Sequence, residues 1–165
     1  MREELVAWAE DCVVRGPAEL PDGRWSDVVN SVDLFHLAPV RLESLEDDRV
    51  LELEELDLER RDLHLVRVDG RPGDPNRKLR PIREPVALQI GPFLVQGNLH
   101  RAPAAAPLAS VTVMASRFVP LTEATFALRD GSRAEAADVL LVNRELITKA
   151  EPLDELPATD AIPVA

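Results

Sequence analysis

Three histidines, a single cysteine, an acidic run and a basic cluster are the side chains of this sequence with chemical potential. His36, His64 and His100 stand apart, none with a second His or Cys at the spacing of a metal-ligand pair. Each reads more simply as a surface or strand-end imidazole. Cys12 with a distant histidine could make a nucleophile pair, but no signature surrounds it, and a small buried thiol is the simpler reading. The acidic run from Glu43 to Asp62 offers carboxylates that suit a hard cation, without the spacing or the glycine of a calcium loop. Solvated strand faces explain it. The sequence has no GxGxxG, GxxxxGK[ST] or GxSxG, so the usual phosphate cradle and serine elbow are missing. No catalytic, cofactor-binding or metal-binding residue is assigned, and the expectation is a non-enzyme with no cofactor.

The basic residues Arg71, Arg77, Lys78, Arg80 and Arg83 form one cluster, and Asn143 with Arg144 occupies a separate turn. These seven are the candidates for contact with a partner or with nucleic acid. The plainer reading is that the cluster solubilises a linker and meets the acidic part before it. That part holds twelve basic against twenty acidic residues through position 81, or -8.

Thirty acidic and nineteen basic residues give the 165-residue chain a net charge of -11, which disfavours nucleic acid and anionic lipid as partners. One cysteine makes no internal disulfide, so nothing points to an oxidising compartment. The N-terminus is acidic where a secretory signal is basic. No run of about eighteen apolar residues is present. The expectation is a soluble, cytoplasmic protein. Arg, Ala, Val and Pro usage suggests a GC-rich bacterial source.

The elements that must position these residues read as written twice, the plainer alternative being that any two β-rich stretches share alternating apolar residues. REELVAWAEDCVVRG (residues 2 to 16) lies over REPVALQIGPFLVQG (83 to 97) without a gap, pairing Arg2 with Arg83, Val14 with Val95 and Gly16 with Gly97. LFHLAPVRL (34 to 42) then lies over FVPLTEATF (118 to 126), so Leu37 faces Leu121. LDLERRDL (56 to 63) lies over VLLVNREL (139 to 146), with Arg61 opposite Arg144. The offset drifts only from 81 to 84, as expected of a tandem duplication.

Within the second copy, Val86, Leu88 and Ile90 alternate with polar or small residues, the period of a half-buried strand. Gly91-Pro92 ends that strand, Phe93 to His100 forms the next, and Gly97 marks a bend or close approach. Residues 102 to 107 read as a loop, 108 to 116 as a short helix or turn, and 117 to 128 as a bent strand with Pro120 at an edge or bulge. A turn at 129 to 132 leads to two short strands, 138 to 142 and 145 to 149. In the first copy a helical segment follows Asp22-Gly23, with Ser26 or Asp22 as its cap. Its leucines from Leu51 to Leu65 read as a sheet face, with a helix over 49 to 66 as the alternative. Trp25, Phe35, Phe93 and Phe118 are expected in cores.

GRWSDVVN with LFHLAPVRL, and FVPLTEATF with VLLVNRELI, resemble an uncharacterised bacterial family that pairs an RLSDxLN-type segment with an FxxLTDA-type strand. The strand order is similar to the small open β-barrel of Sm-like proteins. The resemblance implies a mainly β fold: two such modules in tandem, each of about five short strands and a short helical segment. Module one covers 1–69, a basic Pro/Gly linker 70–82, module two 83–150, and an acidic Pro-containing tail 151–165, pinned by Leu153 and Leu156. Sm-like RNA binders carry an Arg-Gly pair before the last strand. Here Arg144 precedes Glu145, and Asp27 to Asn30 is a loose match to their second loop. The leading expectation is a non-catalytic interaction or scaffold protein whose two barrels offer strand edges to a protein partner or self-associate. Weak nucleic-acid binding is the alternative, and a small-ligand binder or enzyme at the seam between modules is third.

Overall fold

The structure, a computed structural model, describes residues 2–68, 82–112 and 116–156. It is mainly β, an open antiparallel sheet. Strand β1 (Arg2–Trp8) turns at Glu10 and Asp11 into β2 (Cys12–Glu19), and the two pair from Arg2↔Glu19 to Trp8↔Val13. The alternation that buries Leu5 and Ala7 of β1 also buries Val14 and Ala18 of β2 on the same side. After helix α1 (Trp25–Ser31) the chain returns as β3 (Leu34–Leu37) and β4 (Val40–Ser44), on either side of a cis Ala38–Pro39 bond. Both pair with β2, at Ala18↔Leu37 and from Cys12↔Ser44 to Arg15↔Arg41. Gly16 permits this crossing. A Cβ there would stand 2.5 Å from the Pro39 carbonyl oxygen and 3.2 Å from a Leu37 methyl.

Strands β5 (Val50–Leu53) and β6 (Leu56–Glu59) then pair with β4 and β3 respectively. A 3-10 turn at Arg60–Asp62 leads to β7 (Leu65–Val68), which closes back on β1 at Trp8↔Leu65.

Residues 82 onward retrace this path. Strands β8 (Ile82–Ile90) and β9 (Phe93–Arg101) pair so that Val86 faces Gly97, as Leu5 faces Gly16. A Cβ at Gly97 would lie 3.2 Å from Leu121 Cβ, so both glycines sit against the corresponding leucine, Leu37 or Leu121. The short helix α2 (Ala109–Thr112) precedes β10 (Phe118–Leu128). Where the first half bends at Ala38–Pro39, β10 has a register shift between Thr122 and Thr125, with Glu123 at φ 52°. Pro120 lies before the β9 pairing begins at Thr122, where a missing N–H breaks no ladder. Strand β11 (Glu135–Asn143), a 3-10 turn at Arg144–Leu146 and β12 (Ile147–Pro152) complete the half, with β12 back on β8.

The strand order is β12-β8-β9-β10-β11-β7-β1-β2-β3-β6, so β11 and β7 join the halves. Beneath it lie two apolar clusters. One holds Val86, Ile90, Phe93, Leu121 and Phe126 with Trp8, Val13 and Leu65 from the first half; the other holds Leu5, Trp25, Phe35 and Leu37 with Phe118 and Leu141 from the second. Trp8 meets Phe126 edge-on at 4.9 Å. The four aromatics expected in cores are buried.

Several local expectations need correction. The 3-10 turns correspond through Arg60 N–H to Asp33 O and Arg144 N–H to Arg117 O, so Arg60, not Arg61, takes the place of Arg144. Glu145 and Leu146 lie in that turn rather than in a strand. Helix α1 starts after Arg24 with no side-chain cap, so neither Ser26 nor Asp22 serves. Residues 49 to 66 are strands and a turn, and the leucine face is uneven: Leu63 and Leu65 are buried while Leu51 is exposed. Glu151 and Pro152, assigned to the tail, belong to β12, and Leu153 N–H continues its ladder to Pro85 O.

Candidate functional site

Among the described residues, three outer strands, β5, β6 and β12, and one inner seam decide what this sheet can offer. At the seam, β11 and β7 pair from Val139↔Val68 to Val142↔Leu65. Hydrophobic side chains fill both faces of β11 here, because Leu140 and Val142 enter one core and Leu141 the other. Asn143 ends the strand fully buried. Its Nδ2 donates to Leu63 O at 2.8 Å, its N–H to His64 O at 2.9 Å, and its Oδ1 accepts from Glu145 N–H at 3.2 Å. Asn30 of α1 clamps the start of β10, donating to Phe118 O at 3.0 Å and accepting from Phe118 N–H at 2.8 Å. At the far end Arg133 bonds Glu43 at 3.2 Å, Ser44 O at 2.8 Å, and Asp48.

The first open edge among the described residues is β6, with β5 on the same rim. Arg60 N–H bonds Asp33 O, which makes Leu34↔Glu59 a pair with no mutual hydrogen bonds. By alternation the N–H and C=O groups of Glu59 and Asp57 point away from β3. Asn143 stands at the same position on β11, and its N–H is taken by β7. The Leu56 and Leu58 side chains are half-buried over the first core, and Asp57 and Glu59 are exposed on the other face. That outer face also carries Leu34, 51% exposed, and His36, whose Nδ1 lies 2.6 Å from Asp57 and whose Nε2 lies 3.7 Å from Glu55. The Asp57 hydrogen bond raises the His36 pKa above its usual 6.5.

The second open edge is β12. Leu153 N–H points to β8, so Ala150 and Pro152 face outward by the same alternation. Pro152 has no N–H to offer, and Lys149 and Glu151 place charges along the strand. Natural sheets use these features to blunt an edge.

No family model, curated protein or solved structure matches the chain.

The candidate contact residues disperse over this frame. Arg71, Arg77, Lys78 and Arg80 lie outside the described residues. Arg83 sits on β8, 3.5 Å from Glu123. Arg144 donates from Nε to Ser116 O at 3.1 Å. Asn143 holds the seam, and its burial removes it from any surface, which corrects the expectation that it contacts a partner. Arginines that the sequence reading passed over stand closer together. Arg60, Arg61 and Arg117, with Asp33, Leu34 and Glu59, line a cavity of about 460 Å³ beside the seam. Carboxylates within reach occupy these arginines: Asp33 for Arg60, Glu59 for Arg61 and Glu145 for Arg117.

Glu84 was also missed. Both its carboxylate oxygens lie 3.0 Å from Leu108 N–H, and Arg101 Nε is 3.5 Å away. Its signal was present, since Glu84 is in phase with Val86, Leu88 and Ile90. His64 is buried beneath the seam, edge-on to Phe93, and burial lowers its pKa. His100 bonds Thr122 at 2.6 Å. Burial, with Asp11 beside it, pushes the Cys12 thiol up to about 11, far from a ready nucleophile. Among the described residues no three potential ligands gather as a metal site, and no helix is long and apolar enough to cross a membrane.

Proposed function

We propose that the chain is a duplicated Sm-like β module serving as a non-catalytic interaction or scaffold protein of the cytoplasm, which docks a protein partner on an open strand edge. The observation that carries this reading is the contrast between corresponding positions Asn143 and Glu59. The first gives its backbone N–H to a neighbouring strand and the second faces outward on β6. Matching register in the two halves, from Leu5↔Gly16 and Val86↔Gly97 onward, supports the duplication.

Glu59 has φ -78°, a value proline adopts, so Glu59→Pro removes the outward donor without disturbing the β3 pairing. A partner recovered at native expression with the wild type should be lost with Glu59→Pro. Recovery of no partner and no self-assembly with either chain rejects the reading.

A second reading, weak nucleic-acid binding, rests on the basic cluster Arg71, Arg77, Lys78, Arg80 and Arg83 with Arg144. It predicts a salt-sensitive gel shift that disappears when Arg71, Arg77 and Arg80 become serine. No shift at low salt rejects it.

A further inference from the structure

We infer that the partner of the β6 edge is a basic, extended peptide segment, added as an antiparallel strand with Lys or Arg at alternate positions and apolar residues between them. The inference rests on the edge-docking reading above and names the chemistry of the occupant.

Three features of β6 select it. The outward backbone groups belong to Asp57 and Glu59, so a new strand hydrogen-bonds at those two residues. In an antiparallel pair, the residue opposite shares its partner's face. Side chains set against Asp57 and Glu59 therefore meet carboxylates, with Glu55 on the same face, and compete there with His36 for Asp57 and with Arg61 for Glu59. The residue between them lies over Leu58, whose half-buried side chain presents an apolar surface to cover. Basic, apolar, basic is the complementary pattern.

Charge over a longer range acts in the same direction. Residues 1–68 carry eighteen acidic and eight basic side chains, a balance of -10, against -3 for residues 82–165. The half that carries β6 therefore attracts a cationic segment over long range, although Arg60, Arg61 and Arg117 stand near its Glu59 end.

Two other occupants fit worse. A second copy pairing β6 with β6 would set Asp57 and Glu59 against their own kind, and like charges directly opposite are destabilising. Pairing with β12 of a second copy would meet Pro152, which has no donor, and would bring Glu151 to an acidic edge. The seam shows the difference, because β11 joins β7 with apolar residues on both faces, whereas β6 alternates Leu56-Asp57-Leu58-Glu59.

The test uses the full chain and three end-blocked octapeptides: alternating Lys-Val, alternating Glu-Val, and Lys-Val methylated on every second backbone nitrogen. Binding is followed by calorimetry and by amide exchange at Asp57 and Glu59. A variant with Arg71, Arg77, Lys78 and Arg80 changed to serine is run in parallel, so that the chain's own basic residues cannot mask the edge. The expected result is Lys-Val binding that slows exchange at both amides, and that falls at least tenfold on methylation and in Glu59→Pro. Equal binding by Glu-Val with the same slowed exchange overturns the basic occupant and leaves the edge reading standing. Lys-Val binding that survives methylation and Glu59→Pro is charge attraction without strand addition and overturns the inference. Unchanged exchange with every peptide, in both chains, overturns the inference and the edge reading together.

Discussion

Strands β6 and β11 occupy corresponding places in the two halves and have opposite fates. Strand β11 pairs with β10 and β6 with β3, and each runs into a 3-10 turn. Yet Leu140 and Val142 of β11 are completely buried, while Leu56 and Leu58 of β6 are only half covered. One path of backbone thus gives an inner joint when both faces are apolar and an outer rim when one face carries carboxylates. Side-chain polarity distinguishes the strand that has a neighbour inside the chain from the one that does not.

Proline at the two corresponding positions is the most forceful way to break this comparison. Asn143→Pro removes a seam hydrogen bond and a buried amide, and is expected to cost roughly 4 kcal/mol in a denaturant titration; Glu59→Pro should stay within about 0.5 kcal/mol. Equal losses would mean that β6 is not a rim. Truncation comes next. Leu140→Ala should cost about 3 kcal/mol and Leu56→Ala about 1 kcal/mol, read from the shift in urea midpoint.

The two bends differ in the same graded way. Gly16→Ala drives a methyl group into the Pro39 carbonyl and should cost about 2 to 3 kcal/mol, whereas Gly97→Ala meets its nearest atoms at 3.2 Å and should cost about 1 kcal/mol. Melting temperatures of the two variants measure the difference.

Histidine titration provides the smallest effect, with opposite signs at rim and seam. The folded-state pKa of His64 is depressed, so the unfolded chain takes up the proton first. Its contribution to stability is full above about pH 6.5 and is lost as pH falls through that value toward the folded pKa. His36 is raised by Asp57, so its contribution is present below about pH 6.5 and lost as pH rises through its folded pKa. Imidazole proton shifts in NMR should show His36 titrating above 6.5 and His64 below it; the reverse order would contradict their placement.

Much of this frame is legible in the residues. Alternation at Val86, Leu88 and Ile90 gives β8, and Gly16 and Gly97 mark the two close crossings. The shared order of apolar segments anticipates matched pairing within each half. How the halves meet is a different matter, because pairing of β11 with β7 depends on contacts between residues more than seventy positions apart, for which alternation holds no signal. The contact residues were hard to read for a related reason. Arg60 and Arg117 approach one cavity only after the seam forms, and Asn143 in a turn-like Asn-Arg sequence gives no sign that its amide is buried. The one-residue slip between Arg61 and Arg144 shows how weakly a short leucine-rich stretch fixes its own register.

The exchange of side chains across the seam has a consequence for how the molecule comes apart. Trp8, Val13 and Leu65 fill the interior of the second half, and Phe118 and Leu141 fill that of the first. Either half cut away alone would leave these groups in water and a gap in its own interior. Heat should therefore melt both halves in a single cooperative step, with calorimetric and van't Hoff enthalpies equal.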